Sequence, residues 1–249
     1  MIRTTGIVAA FILLGICAAV KAQDAKTVLA QADSLSEAKN YTEAIALLEK
    51  NIKLFEADSV YDLSFAYNRL GNNYKNIEDY ERAKTYYLKY YDFHKPYMES
   101  NPAEYAYWYS NNLLSLANTY AKLFDHQAAI RVCKENIELI ERYKEHFENY
   151  SFDLAGKYGS LSYFYLFAKD YPLAEQAVQK ALSIDSTQTW IKTNLAPALL
   201  FQGKTQEAET IYNELAQTVY HDNDTYAPTV LEDFEQLEKA QVIPQNAKK

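Results

Sequence analysis

One stretch, Phe65–Tyr87, constrains the fold more than any other part of the chain; it reads FAYNRLGNNYKNIEDYERAKTYY. It contains a Leu70-Gly71 pair, then Tyr74, a short acidic turn, and Ala83 between two further tyrosines. Two amphipathic helices joined by a few residues would place these side chains face to face, because residues three or four apart share one side of a helix. Gly71 and Ala83 then mark where the two backbones approach most closely. Such a pair cannot bury its own apolar face, so the stretch predicts further copies on either side.

Further copies of the pattern are recognised by a small alanine early in each second helix. Successive alanines are separated by 39, 46, 45 and 34 residues, in the order Ala44, Ala83, Ala129, Ala174 and Ala208. The pattern resembles the tetratricopeptide repeat (TPR), a helix–turn–helix unit of about 34 residues with this spacing of Leu-Gly, Tyr, Ala and aromatic residues. The longer spacings indicate extended helices. The resemblance covers residues 24–215. It implies an all-α fold: a right-handed TPR superhelix (α-solenoid) of about five helix pairs plus a C-terminal capping helix.

Polar residues mark the predicted starts of the second helices. Asp79, Asp125 and Asp170 each stand four residues before the small alanine. A carboxylate there can accept the free N–H groups of a helix start and favours its positive end. We therefore expect these acids to be N-caps and not catalytic carboxylates, and we expect Asn40 to cap its helix without a charge. A proline normally stops a helix, so the second helix of the clearest repeat is expected to end near Pro96.

The N-terminal residues 1–22 have the features of a secretory signal peptide. Arg3 gives a positive start, Gly6–Val20 is an uncharged apolar run, and small residues precede Gln23. The run is shorter than the roughly 20 residues that a membrane span needs. An uncleaved anchor and lipidation at Cys17 are the alternatives. The predicted organisation is a signal peptide at 1–22, a TPR-like solenoid with its capping helix at 23–241, and a disordered tail at 242–249. The predicted location is periplasmic or extracellular after cleavage.

Composition and charge argue against several classes of protein. The chain has 249 residues and is 49% apolar, so it is not a disordered protein. Its 6 Gly and 6 Pro are too few for the tight turns of a β-sandwich or barrel. The net charge is −8, and −10 once residues 1–22 with their two basic residues are removed. This acidity argues against nucleic acid and an anionic membrane surface as partners, and we expect no membrane insertion of the mature chain.

The sequence carries no recognisable catalytic or cofactor motif. The four histidines are scattered, and no HExxH, GxSxG, Walker loop or dinucleotide fingerprint occurs. Cys133 lies in an apolar helical pattern, which is typical of a buried small hydrophobe. We therefore expect no enzyme activity, no metal and no cofactor.

The TPR resemblance implies a binding surface instead, because the first helix of each repeat lines a concave groove that holds a peptide or helix of a partner. Groove-facing positions lie opposite the Leu-Gly and Tyr packing positions. In early repeats they are asparagines, which can hydrogen-bond an extended peptide backbone as donor and acceptor; in later repeats they are aromatic anchors. The predicted partner-binding residues are Asn68, Asn72, Lys75, Asn76, Asn111, Asn118, Lys122, Tyr163, Phe167 and Trp190. The alternative interpretation makes the asparagines a solvated face and the aromatics packing contacts between repeats.

These observations predict a non-catalytic protein–protein interaction scaffold of the cell envelope that binds a protein or peptide in its concave groove. Two alternatives stay open. Tyrosine-rich surfaces such as Tyr105–Tyr109 could stack between copies of the chain, which would make a self-assembling structural protein and a homo-oligomer. An uncleaved residue 1–22 segment would instead favour a sensor module of a membrane signalling complex.

Overall fold

A computed structural model describes residues 24–58, 60–221 and 224–243, and this part of the chain is almost entirely helical. The predicted signal peptide at 1–22 and residues 244–249 of the predicted tail lie outside the described residues. The helices are α1 Ala25–Glu37, α2 Tyr41–Lys50, α3 Ile52–Asp58, α4 Val60–Asn76, α5 Tyr80–Ser100, α6 Pro102–Lys122, α7 His126–Arg142, α8 Tyr150–Phe167, α9 Tyr171–Ile184, α10 Lys192–Phe201, α11 Thr205–Gln217 and α12 Ala227–Lys239. Short 3₁₀ turns lie at Lys144–His146 and Thr189–Ile191, and two short antiparallel strands are β1 Val219–His221 and β2 Asp224–Thr225.

Ten of these helices form five consecutive pairs: α1–α2, α4–α5, α6–α7, α8–α9 and α10–α11. The short α3 lies between the first two pairs, and α12 follows the last. The predicted all-α superhelix of about five pairs with a C-terminal helix is confirmed. Among the described residues, no helix combines the length and the apolar character needed to cross a bilayer.

The same three-residue turn joins the two helices of every pair. Its middle residue has a left-handed backbone with φ between 60° and 79°, and these residues are Lys39, Glu78, Phe124, Lys169 and Gly203. The N–H of the next residue then bonds to the carbonyl five positions earlier, as from Asp79 to Tyr74 at 2.9 Å. This arrangement satisfies a free carbonyl at the end of the first helix and reverses the chain direction.

The predicted aspartate caps are confirmed. The Asp79 carboxylate accepts the N–H of Arg82 at 3.1 Å, and Asp125 accepts that of Ala128 at 2.9 Å. Asp170 does the same for the fourth pair at 3.4 Å. The prediction for Asn40 was wrong, since its side chain makes no capping bond. A neutral amide gains less than a carboxylate from the positive end of a helix, so the exposed Asn40 has little reason to order its side chain.

The second pair packs as its sequence predicts. Ala83 and Tyr87 are fully buried, and a Cβ atom added at Gly71 would lie 2.6 Å from Cε1 of Tyr87. No side chain fits at that separation, so the ring of Tyr87 lies directly against the backbone of α4. Tyr74 is also buried, and its hydroxyl donates to Glu49 of the preceding pair at 2.6 Å. The tyrosines therefore both fill the pair and join it to its neighbour.

One local prediction, the helix end near Pro96, fails for a tertiary reason. Helix α5 continues through Pro96 to Ser100, because Tyr90, His94 and Met98 are buried along its length and hold it against α6. Between α11 and α12, Val219–His221 and Asp224–Thr225 form the antiparallel strand pair β1–β2.

The C-terminal helix contacts more than the last pair. Tyr226, just before α12, packs with Ala196 and Leu215, which covers the exposed end of the solenoid as expected for a cap. The other end of α12 continues to the fourth pair, where Leu237 and Val242 join the main core. Val242 was placed at the start of the disordered tail, yet it is 2% exposed.

Candidate interaction groove

Two pockets lie on the side of the superhelix that the first helices form, which we call the inner face. The first, the polar pocket, has a volume of about 420 Å³ and lies between α1, α4, α5 and α6. The second, the aromatic pocket, has a volume of about 450 Å³ and lies between α6, α8 and α12. Seven of the ten predicted binding residues line these pockets: Asn68, Asn72 and Asn111 in the polar pocket, and Asn118, Lys122, Tyr163 and Phe167 in the aromatic pocket.

An ion pair fixes one wall of the polar pocket. Arg69 donates to both carboxylate oxygens of Asp33, at 2.5 Å from Nε and 2.6 Å from Nη2, and so joins α4 to α1. The guanidinium also lies 5.1 Å from the ring centre of Phe65. A planar two-bond contact of this kind holds its geometry better than a single bond to lysine would. The wall is therefore pre-ordered, and the charge of Arg69 is largely neutralised.

The asparagines of the polar pocket are not equivalent. The Asn72 side chain receives a hydrogen bond from the hydroxyl of Tyr87 at 2.7 Å and donates to Oδ1 of Asn68 at 3.0 Å. Asn72 is thus a positioning residue. The Nδ2 group of Asn68 and both polar atoms of Asn111 have no hydrogen-bond partner within the described residues. These amides can donate to and accept from a bound chain.

Aromatic rings form the floor of the aromatic pocket. The ring of Tyr163 lies 4.6 Å from that of Phe167, one turn further along α8. At its mouth, Phe124 is 70% exposed and has the left-handed backbone of the α6–α7 turn. A bulky residue is uncommon in that conformation, and an exposed ring beside a pocket is a candidate anchor for a ligand. Lys122 adds a positive charge at the same mouth and forms no ion pair with any described residue.

Three predicted binding residues lie outside both pockets. Lys75 and Asn76 belong to the last turn of α4, beyond the pocket wall. Trp190 is in the 3₁₀ turn before α10, where its ring packs over Gly159 and its Nε1 donates to Gln188 at 3.2 Å. Trp190 therefore contacts the neighbouring repeat, as the alternative interpretation of the aromatics expected. A third pocket, of about 530 Å³, lies between α7, α8 and α9 and includes none of the predicted residues.

Several residues that line the two pockets were not among those predicted from the sequence. Arg69 and Phe124 lacked a usable signal, because neither the ion pair nor the exposure of a turn residue can be read from spacing. Trp108, 55% exposed at the rim of the polar pocket, belongs to the aromatic run that was assigned to self-association. The largest omission is α12, since Gln236 and Ala240 form one side of the aromatic pocket.

Two side chains of types that often act in catalysis, Cys133 and His94, are buried. Burial raises the pKa of the Cys133 thiol to about 12, so the thiolate is scarce near neutral pH. His94 is 3% exposed and lies stacked on Tyr90 at 4.8 Å, and burial lowers its pKa to about 4. In the part of the chain that the structure describes, no three His, Cys, Asp or Glu side chains come together as they would around a metal ion.

Comparison with known proteins supports the repeat assignment. A tetratricopeptide repeat model matches residues 66–92. A comparison with curated protein sequences found no significant match.

Solved structures share the overall architecture at low sequence identity. BtubC (BKLC) from P. vanneervenii has 14% identity and a TM-score of 0.62, and the match covers 86% of this chain and 80% of that one. A putative kinesin light chain from Podosopora anserina with nearly identical TPR-like repeats has 14% identity and a TM-score of 0.63, over 76% and 92% of the two chains. YrrB, described as a TPR protein with an unusual peptide-binding site, has 16% identity and a TM-score of 0.55, over 88% and 93%. The chain therefore contains a tetratricopeptide repeat at residues 66–92 and has the fold of a TPR superhelix.

Proposed function

We propose that the chain is a non-catalytic interaction scaffold that binds a protein or peptide along its inner face. The observation that carries the proposal is the pair of adjacent pockets, one polar and one aromatic, on the first helices of successive repeats. YrrB, which shares the fold, is described as having a peptide-binding site.

The polar pocket suits an extended peptide segment. Asn68 and Asn111 offer unpaired amide groups from two neighbouring helices, and a peptide backbone has a donor and an acceptor at every residue. Trp108 at the rim supplies an apolar surface for a side chain of the peptide. The paired Arg69 leaves little free charge in this pocket, so we expect recognition of the backbone and of apolar side chains more than of acidic groups.

A peptide selection with matched variants tests this proposal. The full chain selects peptides from a random display library, and the affinity of the best peptide is then measured for three forms of the protein. Asn111→Ala is expected to weaken binding by about 1 kcal/mol, or roughly fivefold, since one hydrogen bond to a neutral group is lost. Asn76→Ala on α4, outside the pocket, is the control and is expected to leave the affinity unchanged. Equal effects of the two substitutions, or no selected peptide at all, would refute the polar pocket as the site.

We further propose that the chain acts outside the cytoplasm, in a bacterial cell envelope. The support is the apolar run and small cleavage residues within 1–22. N-terminal sequencing of the protein from its own cells is expected to give Gln23 as the first residue. A chain that starts at Met1 in a membrane fraction would instead favour the signalling-module alternative.

Self-association is the second candidate, and exposed aromatic rings favour it. Tyr107 is 45% exposed, Trp108 is 55% exposed, and Tyr97 on the neighbouring helix is 37% exposed. Light scattering across a range of protein concentrations decides between the candidates. A mass that rises with protein concentration and falls in the Tyr107→Ser variant would support self-association. A constant monomer mass would rule self-association out.

A further inference from the structure

We propose that α12 is a displaceable internal occupant of the groove, and that an amphipathic helix of a partner protein takes its place over the aromatic pocket. This inference rests on the proposed function, because it names the class of partner that the proposed function leaves open.

Helix α12 docks through the spacing of a helix-in-groove pattern, with its first turns on α11 and its last turns on the main core. Its apolar contacts come from Val230, Phe234 and Leu237, at positions i, i+4 and i+7. The ring of Phe234 lies 5.8 Å from that of Tyr212 on α11, and Leu237 is 2% exposed. This spacing is the one by which a partner helix places its anchors in a hydrophobic groove.

The surface that α12 contacts includes one residue that was predicted to bind a partner, Tyr163. The hydroxyl of Tyr163 donates to Oε1 of Gln236 at 3.2 Å. Tyr171, at the start of α9, donates to the carbonyl of Val242 at 3.0 Å. The chain's own C-terminal helix therefore forms one side of the aromatic pocket, whereas α12 contributes no residue to the polar pocket.

The seating of α12 is imperfect at its centre. Asp233 lies on the docked side of the helix, near Tyr163 and Tyr212. Burial of these tyrosines, and to a lesser extent the negative charge of Asp233, raises the pKa of both. Burial, and to a lesser extent Glu232, raises the pKa of Asp233 itself to about 6, and no cation or donor in the described part of the chain compensates it. The hydroxyl of Tyr212 is also buried without a partner among the described residues. An ionised group left unpaired in such a seam opposes docking.

Space and charge beside α12 point to the same conclusion. The aromatic pocket of about 450 Å³ remains open between Gln236 and the side chains of α6. Lys122 stands at this opening without an acidic partner in the described chain. We therefore expect a partner helix to share the apolar spacing of α12. It would carry an uncharged residue in place of Asp233 and an acidic residue near Lys122. Such a helix would bury no unpaired charge and would give Lys122 an ion-pair partner, which α12 does not.

A peptide made from the chain's own helix tests the inference. The probe is a fluorescein-labelled synthetic peptide of residues 226–243, and fluorescence anisotropy measures its binding to three forms of the full chain. Leu237→Asp places a charge on the docked side of α12 and should detach this helix from the surface that it covers. Leu231→Asp is the matched control, because Leu231 is 67% exposed on the same helix. Circular dichroism and thermal unfolding check that each form is folded.

The Leu237→Asp chain is expected to bind the peptide at least about tenfold more tightly than the native and Leu231→Asp chains. A peptide carrying Asp233→Asn should bind that chain about threefold more tightly again, since no charge is then buried. If the Leu237→Asp chain folds but does not bind the peptide, the inference is overturned. So would native dimers at the assay concentration, because α12 would then be exchanged between copies.

Hydrogen exchange keeps the inference testable if Leu237→Asp fails to fold. In the native chain, the amides of α12 should exchange at least about tenfold faster than those of α8 and α9, and Asp233→Asn should slow them. Exchange of α12 only through global unfolding would identify it as a fixed cap and refute the inference. Such a failure leaves the proposed function standing if Asn111→Ala still weakens the peptide selected on the polar pocket, which lies away from α12.

Discussion

Adding one methyl group at Gly71 is expected to destabilise the protein, although alanine is normally the better helix residue. The new Cβ would lie 2.6 Å from Cε1 and 2.7 Å from Cδ1 of Tyr87, a ring that is fully buried. Such overpacking costs about 2–3 kcal/mol, because neither the ring nor the facing backbone has room to move. The higher helix propensity of alanine offsets about 1 kcal/mol of this cost. The net expectation for Gly71→Ala is a loss of about 1–2 kcal/mol in the free energy of unfolding.

Gly156→Ala on α8 is the matched control. A Cβ atom there meets its nearest neighbour, Oε1 of Gln188, at 3.5 Å, which is an ordinary contact. The same substitution should therefore stabilise the protein by about 0.5–1 kcal/mol. Urea unfolding followed by circular dichroism gives both free energies. A stabilising effect of Gly71→Ala, or equal effects at the two glycines, would refute the packing argument.

The Gly71→Ala substitution should affect peptide binding as well as stability. The hydroxyl of Tyr87 orients the amide of Asn72 in the polar pocket. A displaced ring should therefore weaken binding of the selected peptide as well as the fold. Tyr87→Phe, which keeps the ring and removes only the hydroxyl, is expected to weaken binding with a smaller loss of stability, about 1 kcal/mol.

Three further predictions concern acid stability and the turns between helices. Burial lowers the pKa of His94 to about 4 from a usual 6.5, so between these pH values the unfolded state takes up a proton that the folded state does not, and the free energy of unfolding falls by roughly 3 kcal/mol as the pH drops from 6.5 towards 4. Urea unfolding between pH 7 and pH 4 should show this loss in the native chain and a flatter profile in His94→Phe; parallel profiles would contradict the assignment. Lys169→Gly should raise the free energy of unfolding by about 0.5–1 kcal/mol, because glycine adopts the positive φ without strain; a lower value would argue against the left-handed turn. Asp125→Ala should cost about 1 kcal/mol through its lost N-cap, whereas Asn40→Ala, which has no capping bond to lose, should cost clearly less in the same titration.

The helix pairs could be predicted because each depends on local chemistry. The Leu-Gly and Ala positions report the close approach of two neighbouring helices, and an aspartate four residues before the alanine reports the helix start. Both signals lie within one repeat, so they can be recognised without knowledge of the rest of the chain. Pro96 shows the limit, since burial of residues on either side of it holds α5 together against a local stop signal.

The contents of the groove could be predicted only in part. The face of a first helix that points away from its partner follows from helical periodicity, and Asn68, Asn111 and Tyr163, which were chosen on that basis, line the two pockets. Which surface α12 covers does not follow from periodicity, because an amphipathic pattern shows that one face is buried but not against what. Trp190 lies outside both pockets for a related reason: it is in a 3₁₀ turn before α10, so the helical face argument did not apply to it.

Hydrogen exchange of the full chain with and without its selected peptide tests the central claim most directly. The account predicts protection of amides in α4 and α6, which line the polar pocket, and no change in the outer helices α7 and α9, which contribute no residue to it. A peptide helix that reaches the aromatic pocket should also speed the exchange of α12. Protection confined to the outer helices, with the first helices and α12 unchanged, would contradict the assignment of the inner face as the binding surface.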